Sequence, residues 1–106
     1  MPDHTHVLVK GLQHDSDFLK WLDLWRQLSG YWVKRRSAQP LWQEGYWDYT
    51  LRDDDPVPNI ASYIIWNPVA AGLVAKPEDY EYSGSETTTV RELALIQPVK
   101  PKFGDI

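Results

Sequence analysis

His4-Thr5-His6-Val7-Leu8-Val9 opens the chain with two imidazoles two residues apart, followed at once by an apolar run rich in β-branched side chains. Residues spaced by two share one face of an extended backbone. A short buried strand is therefore predicted over residues 6–10, with both imidazoles near its start and on one side. Two neutral ring nitrogens placed in this way can hold a single divalent cation. A His-x-His arises easily by chance, and it gains chemical meaning only with partners. Tyr63 and Asn67, four apart in an apolar helical pattern, are the candidates.

Size and composition bound the possibilities. The chain has 106 residues, enough for one small domain with a modest core. It has no cysteine, which excludes disulfides and thiolate metal sites and fits a reducing compartment. No apolar run is long enough to span a bilayer and no signal peptide is visible, so a cytoplasmic protein is expected. Six Trp, six Tyr and two Phe are enough to fill a small core, with one or two left to stack on unpaired bases. Eleven Lys plus Arg stand against 15 Asp plus Glu, a net charge of −4, whereas nucleic-acid binders usually carry a basic signature. The local cluster Lys34-Arg35-Arg36 reads first as a solvated helix end, where cations suit the macrodipole.

Further along, Ser16 or Asp17 can cap a helix reaching about Ser37. Its apolar positions Phe18, Trp21, Leu22, Trp25, Leu28 and Trp32 form one packing face. Gly30 can loosen that helix, and Pro40 marks a break. Residues 41–52 are rich in strand formers and predict one or two extended pieces kinked near Gly45. Asp53-Asp54-Asp55-Pro56 signals a turn and a helix start, and residues 57–67 follow as a helix with Ile60, Tyr63, Ile64 and Asn67 near one face. Pro68 should stop it, with a short second turn from Val69 to Leu73 terminated by Gly72. Tyr80 and Tyr82 can pack back on the domain, a short helix is expected within 87–95, and the end reads as an extended tail. There is no internal repeat and no sign of a second domain.

The chemistry rests on a joint pattern. His4, His6 and the amide oxygen of Asn67 make a reasonable ligand set for Mg²⁺ or Mn²⁺. Tyr63 lies one helical turn before Asn67, so its hydroxyl can face the same place. A free phenol, with a pKa of about 10, attacks poorly at neutral pH. A neighbouring cation and a polarised phosphate make the attack easier. Taken singly, Tyr63 reads as a half-buried helix tyrosine, Asn67 as a helix terminator and His14 as a loop residue with no role.

Three ordered blocks carry a resemblance. Met1-Pro2-Asp3-His4-Thr5-His6-Val7-Leu8-Val9 is similar to the Met-Pro-Asn-His-x-His-apolar signature of the REP-associated tyrosine transposases, single-strand transposases with a histidine–hydrophobe–histidine motif. The block from Leu41 to Arg52 is similar to the family's Trp-Gln-x-x-Tyr-x-Asp-His-x-x-Arg stretch. Ala61-Ser62-Tyr63-Ile64-Ile65-Trp66-Asn67-Pro68-Val69-Ala70-Ala71-Gly72-Leu73-Val74 resembles its Tyr-Ile-x-x-Asn-Pro-Val-x-Ala-Gly-Leu-Val block, and Tyr80 to Ser83 its Tyr-x-x-Ser-Ser ending.

The resemblance implies an α+β fold: a reduced antiparallel sheet with two main helices, built on a ferredoxin- or RRM-like core. Family members carry a strand, a helix and another strand ahead of the histidine segment, so the expected fold is an N-terminally truncated form, with residues 1–83 as the transposase-like catalytic domain and 84–106 as a C-terminal extension. The implied activity is metal-dependent cleavage and joining of single-stranded DNA through a 5′-phosphotyrosine. Tyr63 would be the nucleophile. His4, His6 and Asn67 would hold Mg²⁺ or Mn²⁺. Arg52 with Lys34, Arg35 and Arg36 would contact phosphates of single-stranded or hairpin DNA. Two other readings stay open: a hairpin-DNA-binding remnant without turnover, and a small interaction protein.

Overall fold

The computed structural model describes residues 4–43 and 50–101. Along them run α1 (Phe18–Ser37), α2 (Val57–Ala70), a 3₁₀ turn (Pro77–Asp79) and α3 (Val90–Ala94). No strand is present among the described residues, so the expected α+β domain with a reduced antiparallel sheet is corrected to a helical architecture. The physical reason is pairing: a strand is stable only when a neighbour satisfies its N–H and C=O groups. Residues 6–10 find no such ladder among the described residues, and Val7, Leu8 and Val9 remain 48%, 38% and 42% exposed rather than buried. Much of the extended stretch expected over 41–52, with its kink at Gly45, lies outside the described residues.

The chain divides into two compact units, Val9–Asp48 and the combination of Met1–Leu8 with Tyr49–Ile106. No helix among the described residues is long and apolar enough to cross a membrane.

The first unit is organised by α1. Asp17 caps it as expected, its carboxylate accepting the Lys20 N–H at 3.1 Å. The helix continues through Gly30 and ends on Lys34, Arg35 and Arg36, whose charges suit its negative end. Ala38 then turns left-handed at φ 58°, and its N–H closes onto the Lys34 carbonyl at 2.8 Å. The apolar face forms an aromatic ladder instead of a buried stripe. Phe18 stacks on Trp21 and Trp21 on Trp25, with centroids 6.1 and 5.7 Å apart. Trp42 completes the ladder 5.0 Å from Trp25. The Trp42 indole N–H donates to the Ser29 hydroxyl at 2.8 Å, which itself donates to the Trp25 carbonyl at 2.7 Å. Arg26 lies over the Trp42 ring and donates to the Gln43 carbonyl at 2.7 Å. Of the expected packing face only Leu22 is buried, because one helix and a short return segment supply too little surface to cover six large side chains.

In the second unit, Asp55 closes the turn ahead of α2: its carboxylate accepts the Arg52 N–H at 2.7 Å and its own N–H reaches the Arg52 carbonyl at 3.0 Å. Pro58 sits in the first turn, where no N–H is needed. Pro68 does not stop α2, which reaches Ala70. Only the bond to the carbonyl four residues back is lost, and the terminus is secured just beyond. The Leu73 N–H reaches the Pro68 carbonyl at 2.9 Å and the Gly72 N–H the Val69 carbonyl at 3.0 Å, with Gly72 at φ 77°. This is a Schellman closure, and it makes Gly72 the terminator the sequence marks. The helix expected within 87–95 is α3, started by Thr89, whose hydroxyl accepts the Glu92 N–H and donates to its carboxylate.

The segment after α3 is sewn along α2. Ser62, with no exposed surface, donates to the Ile96 carbonyl at 2.7 Å. Asn59 donates to the Gln97 carbonyl at 2.8 Å and receives the Val99 N–H at its own carbonyl at 3.1 Å. The Trp66 indole reaches the Ala94 carbonyl at 3.3 Å. Ile60, Ile65, Pro68, Pro77 and Leu93 form the small core beneath these bonds. The C-terminal residues expected to trail as an extended tail are thus tied down as far as Val99.

Candidate nucleophile and metal site

Four of the residues singled out for chemistry fall in one compact unit: His4, His6, Tyr63 and Asn67. The structure brings the two imidazoles together, their rings meeting edge to face with centroids 4.9 Å apart. It does so without a strand, since an irregular segment with a two-residue spacing serves as well. His4 is exposed and His6 half-buried. The His6 Nε2 is buried and has no hydrogen-bond partner among the described residues. Burial, and secondarily the charge of the neighbouring His4, hold the His6 imidazole below the usual histidine range. His6 is therefore neutral at neutral pH, the form that binds a cation.

Tyr63 and Asn67 occupy successive turns of α2, both half-buried. The Asn67 amide nitrogen donates to the Tyr63 carbonyl at 3.3 Å, which orients the side chain along the helix and leaves Oδ1 as its acceptor atom. Among the described residues no three His, Cys, Asp or Glu side chains are grouped to hold a metal. A cation here would accordingly rest on the two imidazoles, with a neutral amide oxygen or solvent completing its shell. The unpartnered Nε2 and the neutral state of His6 fit that demand.

The basic residues are distributed differently. Arg52 is exposed in the unit of Tyr63, in the turn that precedes α2. Lys34, Arg35 and Arg36 are exposed at the end of α1, in the other unit. Of two aromatic residues beside them, Trp32 carries more exposure than the periodicity of α1 predicts. Tyr31 and Trp32 are 57% and 56% exposed, and both rings neighbour the Arg35 guanidinium. The helical pattern places Trp32 in the packing face and says nothing of Tyr31. The absence of any acid from residues 24–43 was the available signal.

Comparison with known proteins agrees with the three sequence blocks. A Haemophilus influenzae protein named as a candidate REP-associated tyrosine transposase is 30% identical over 95 residues, covering 78% of this chain and 53% of the relative. An Escherichia coli REP-associated tyrosine transposase is 25% identical over 96 residues, covering 91% of this chain and 56% of the relative. This chain is related to the REP-associated tyrosine transposases. It spans about half the length of the two transposases it matches. No family model and no solved structure matches it.

Proposed function

We propose that this chain carries the nucleophile and metal-binding elements of a transposase that cuts and rejoins single-stranded DNA. The observation that carries the reading is the His4–His6 pair, with the buried and unpartnered Nε2 of His6, in a relative of tyrosine transposases. Tyr63 is the attacking residue. Its phenolic oxygen bonds to a backbone phosphorus as the bond from phosphorus to the 3′ oxygen breaks. The DNA 5′ phosphate stays on Tyr63, and the departing 3′ oxygen takes up a proton in place of the one the phenol gives up. Attack by a 3′ hydroxyl on the tyrosyl ester reverses the sequence and joins strands, with no external energy source because the ester conserves the phosphodiester bond energy.

His4, His6 and Asn67 would hold Mg²⁺ or Mn²⁺, which when bound draws charge from a phosphate oxygen and favours attack. Asn67 is kept in place for this by its bond to the Tyr63 carbonyl. Arg52 and the Lys34–Arg36 cluster contact DNA phosphates. The protein acts in the cytoplasm, on hairpin or single-stranded DNA. The catalytic portion covers residues 1–83 and residues 84–106 form an extension that braces α2.

Incubation of the protein with labelled single-stranded hairpin DNA and Mn²⁺, followed by denaturing electrophoresis, tests the proposal. A covalent adduct with the wild-type chain and none with Tyr63→Phe is expected. A DNA mobility shift without any adduct would instead assign a binding module lacking turnover. Absence of both would leave a small interaction protein.

A further inference from the structure

Charge is segregated along this acidic chain. Residues 9–48 carry six cations and five acids, while the rest carries five cations and ten acids. Within the first unit the separation sharpens: residues 24–43 include Arg26, Lys34, Arg35 and Arg36 and no acid. Arg26 is engaged with Trp42 and the Gln43 carbonyl, so the cations that face solvent are the three closing α1.

Beside them, Tyr31 and Trp32 stand outside the ladder that Phe18, Trp21, Trp25 and Trp42 build. Their rings meet edge to face, centroids 5.9 Å apart, with more than half of each residue exposed. The Arg35 guanidinium lies 5.7 Å from the Tyr31 centroid and 5.8 Å from that of Trp32, and its Nη1 donates weakly to the Tyr31 hydroxyl at 3.4 Å. A guanidinium held against two rings is preorganised at little entropic cost. Both rings leave more than half of their residue's surface to solvent and take no part in the aromatic ladder. What complements flat apolar faces bordered by three cations and free of acids is a polyanion that itself offers flat faces: single-stranded nucleic acid. A duplex hides its bases in the stack and could use only the charges.

We infer that the last two turns of α1 form a platform for unpaired bases, on which Tyr31 and Trp32 stack with bases while Lys34, Arg35 and Arg36 hold the adjoining phosphates. The platform rests on the DNA-processing reading and adds Tyr31 and Trp32 to its phosphate contacts, with none of these five residues in the unit that contains Tyr63. It requires neither the metal nor the nucleophile.

The test is fluorescence anisotropy of a labelled oligothymidylate of about 12 nucleotides with the full chain in EDTA, where cleavage chemistry is silent. Trp32→Leu should weaken binding at least about fivefold, the low end of the range for one stacked base. Trp32→Tyr should restore most of the loss, and Tyr31→Leu should behave like Trp32→Leu. Binding to a duplex of equal length should change less than about twofold. Because both residues are exposed, circular dichroism should register the variants as folded. Unchanged affinity in both leucine variants, equal losses on single strand and duplex, or no binding by the wild-type chain at low salt would each overturn the inference. So would light scattering that shows a dimer dissociated by Trp32→Leu, which would make the platform a contact between copies. Loss of oligothymidylate binding in these variants alongside failure of the Tyr63 adduct would sink the enzyme and keep the platform; an adduct with unaffected binding would do the reverse.

Discussion

At the scale of single residues, His6 links environment to chemistry most directly. Its folded-state pKa lies below the ordinary value of 6.5, first through burial and then through His4. The sign follows from linkage. The neutral form is favoured in the folded state, so its stabilising contribution is complete above pH 6.5 and is lost as pH falls through the depressed folded value. Thermal melts between pH 7.5 and 5 should show a falling midpoint that flattens in His6→Phe; a parallel decline in both proteins would show that other groups govern the acid side. Cation binding shares the same proton. Isothermal titration with Mn²⁺ should lose affinity over that range in the wild-type chain and give no signal in His6→Ala. Persistent binding by His6→Ala would remove the imidazole pair from the site.

At the scale of elements, termini and seams are where single changes should register. Gly72 sits at φ 77° with nothing within 4 Å of the position a Cβ would take, so Gly72→Ala meets no clash and tests backbone strain alone. It should cost about 1 kcal/mol in urea unfolding, the penalty for a left-handed alanine. Ser62→Ala removes a fully buried hydroxyl and leaves the half-buried Ile96 carbonyl without its hydrogen bond, and should cost about 1–3 kcal/mol. A change below a few tenths in either variant would contradict the closure or the seam. These elements also show what the sequence made legible. Asp17 and Gly72 were readable because caps act over three or four residues. Pro68 misled because proline's penalty depends on place, and in a final turn only one bond is lost. The strand at 6–10 misled more deeply, since a strand is a relation between distant segments and its apolar run says nothing about the partner. The meeting of His4 with His6 survived that error because spacing by two needs only local geometry.

At the scale of the whole molecule, an acidic chain that binds DNA must do so through segregated charge. Salt should expose this. If Lys34, Arg35 and Arg36 each neutralise a phosphate of a single strand, replacing one by alanine should lower the slope of log affinity against log salt by about 0.7. An unchanged slope in all three single variants would place the electrostatic contact elsewhere, with Arg52 the next residue to change. The division into two compact units gives this expectation a structural frame. One unit holds His4, His6 and Tyr63, the other Lys34, Arg35 and Arg36.

The most direct measurement is mass spectrometry of the protein digested after reaction with single-stranded hairpin DNA and Mn²⁺. A nucleotide carried through its 5′ phosphate on the peptide containing Tyr63 is the expected result. DNA esterified to any other tyrosine, or cleaved strands with no nucleotide left on the protein, would contradict the assignment of Tyr63 as the nucleophile.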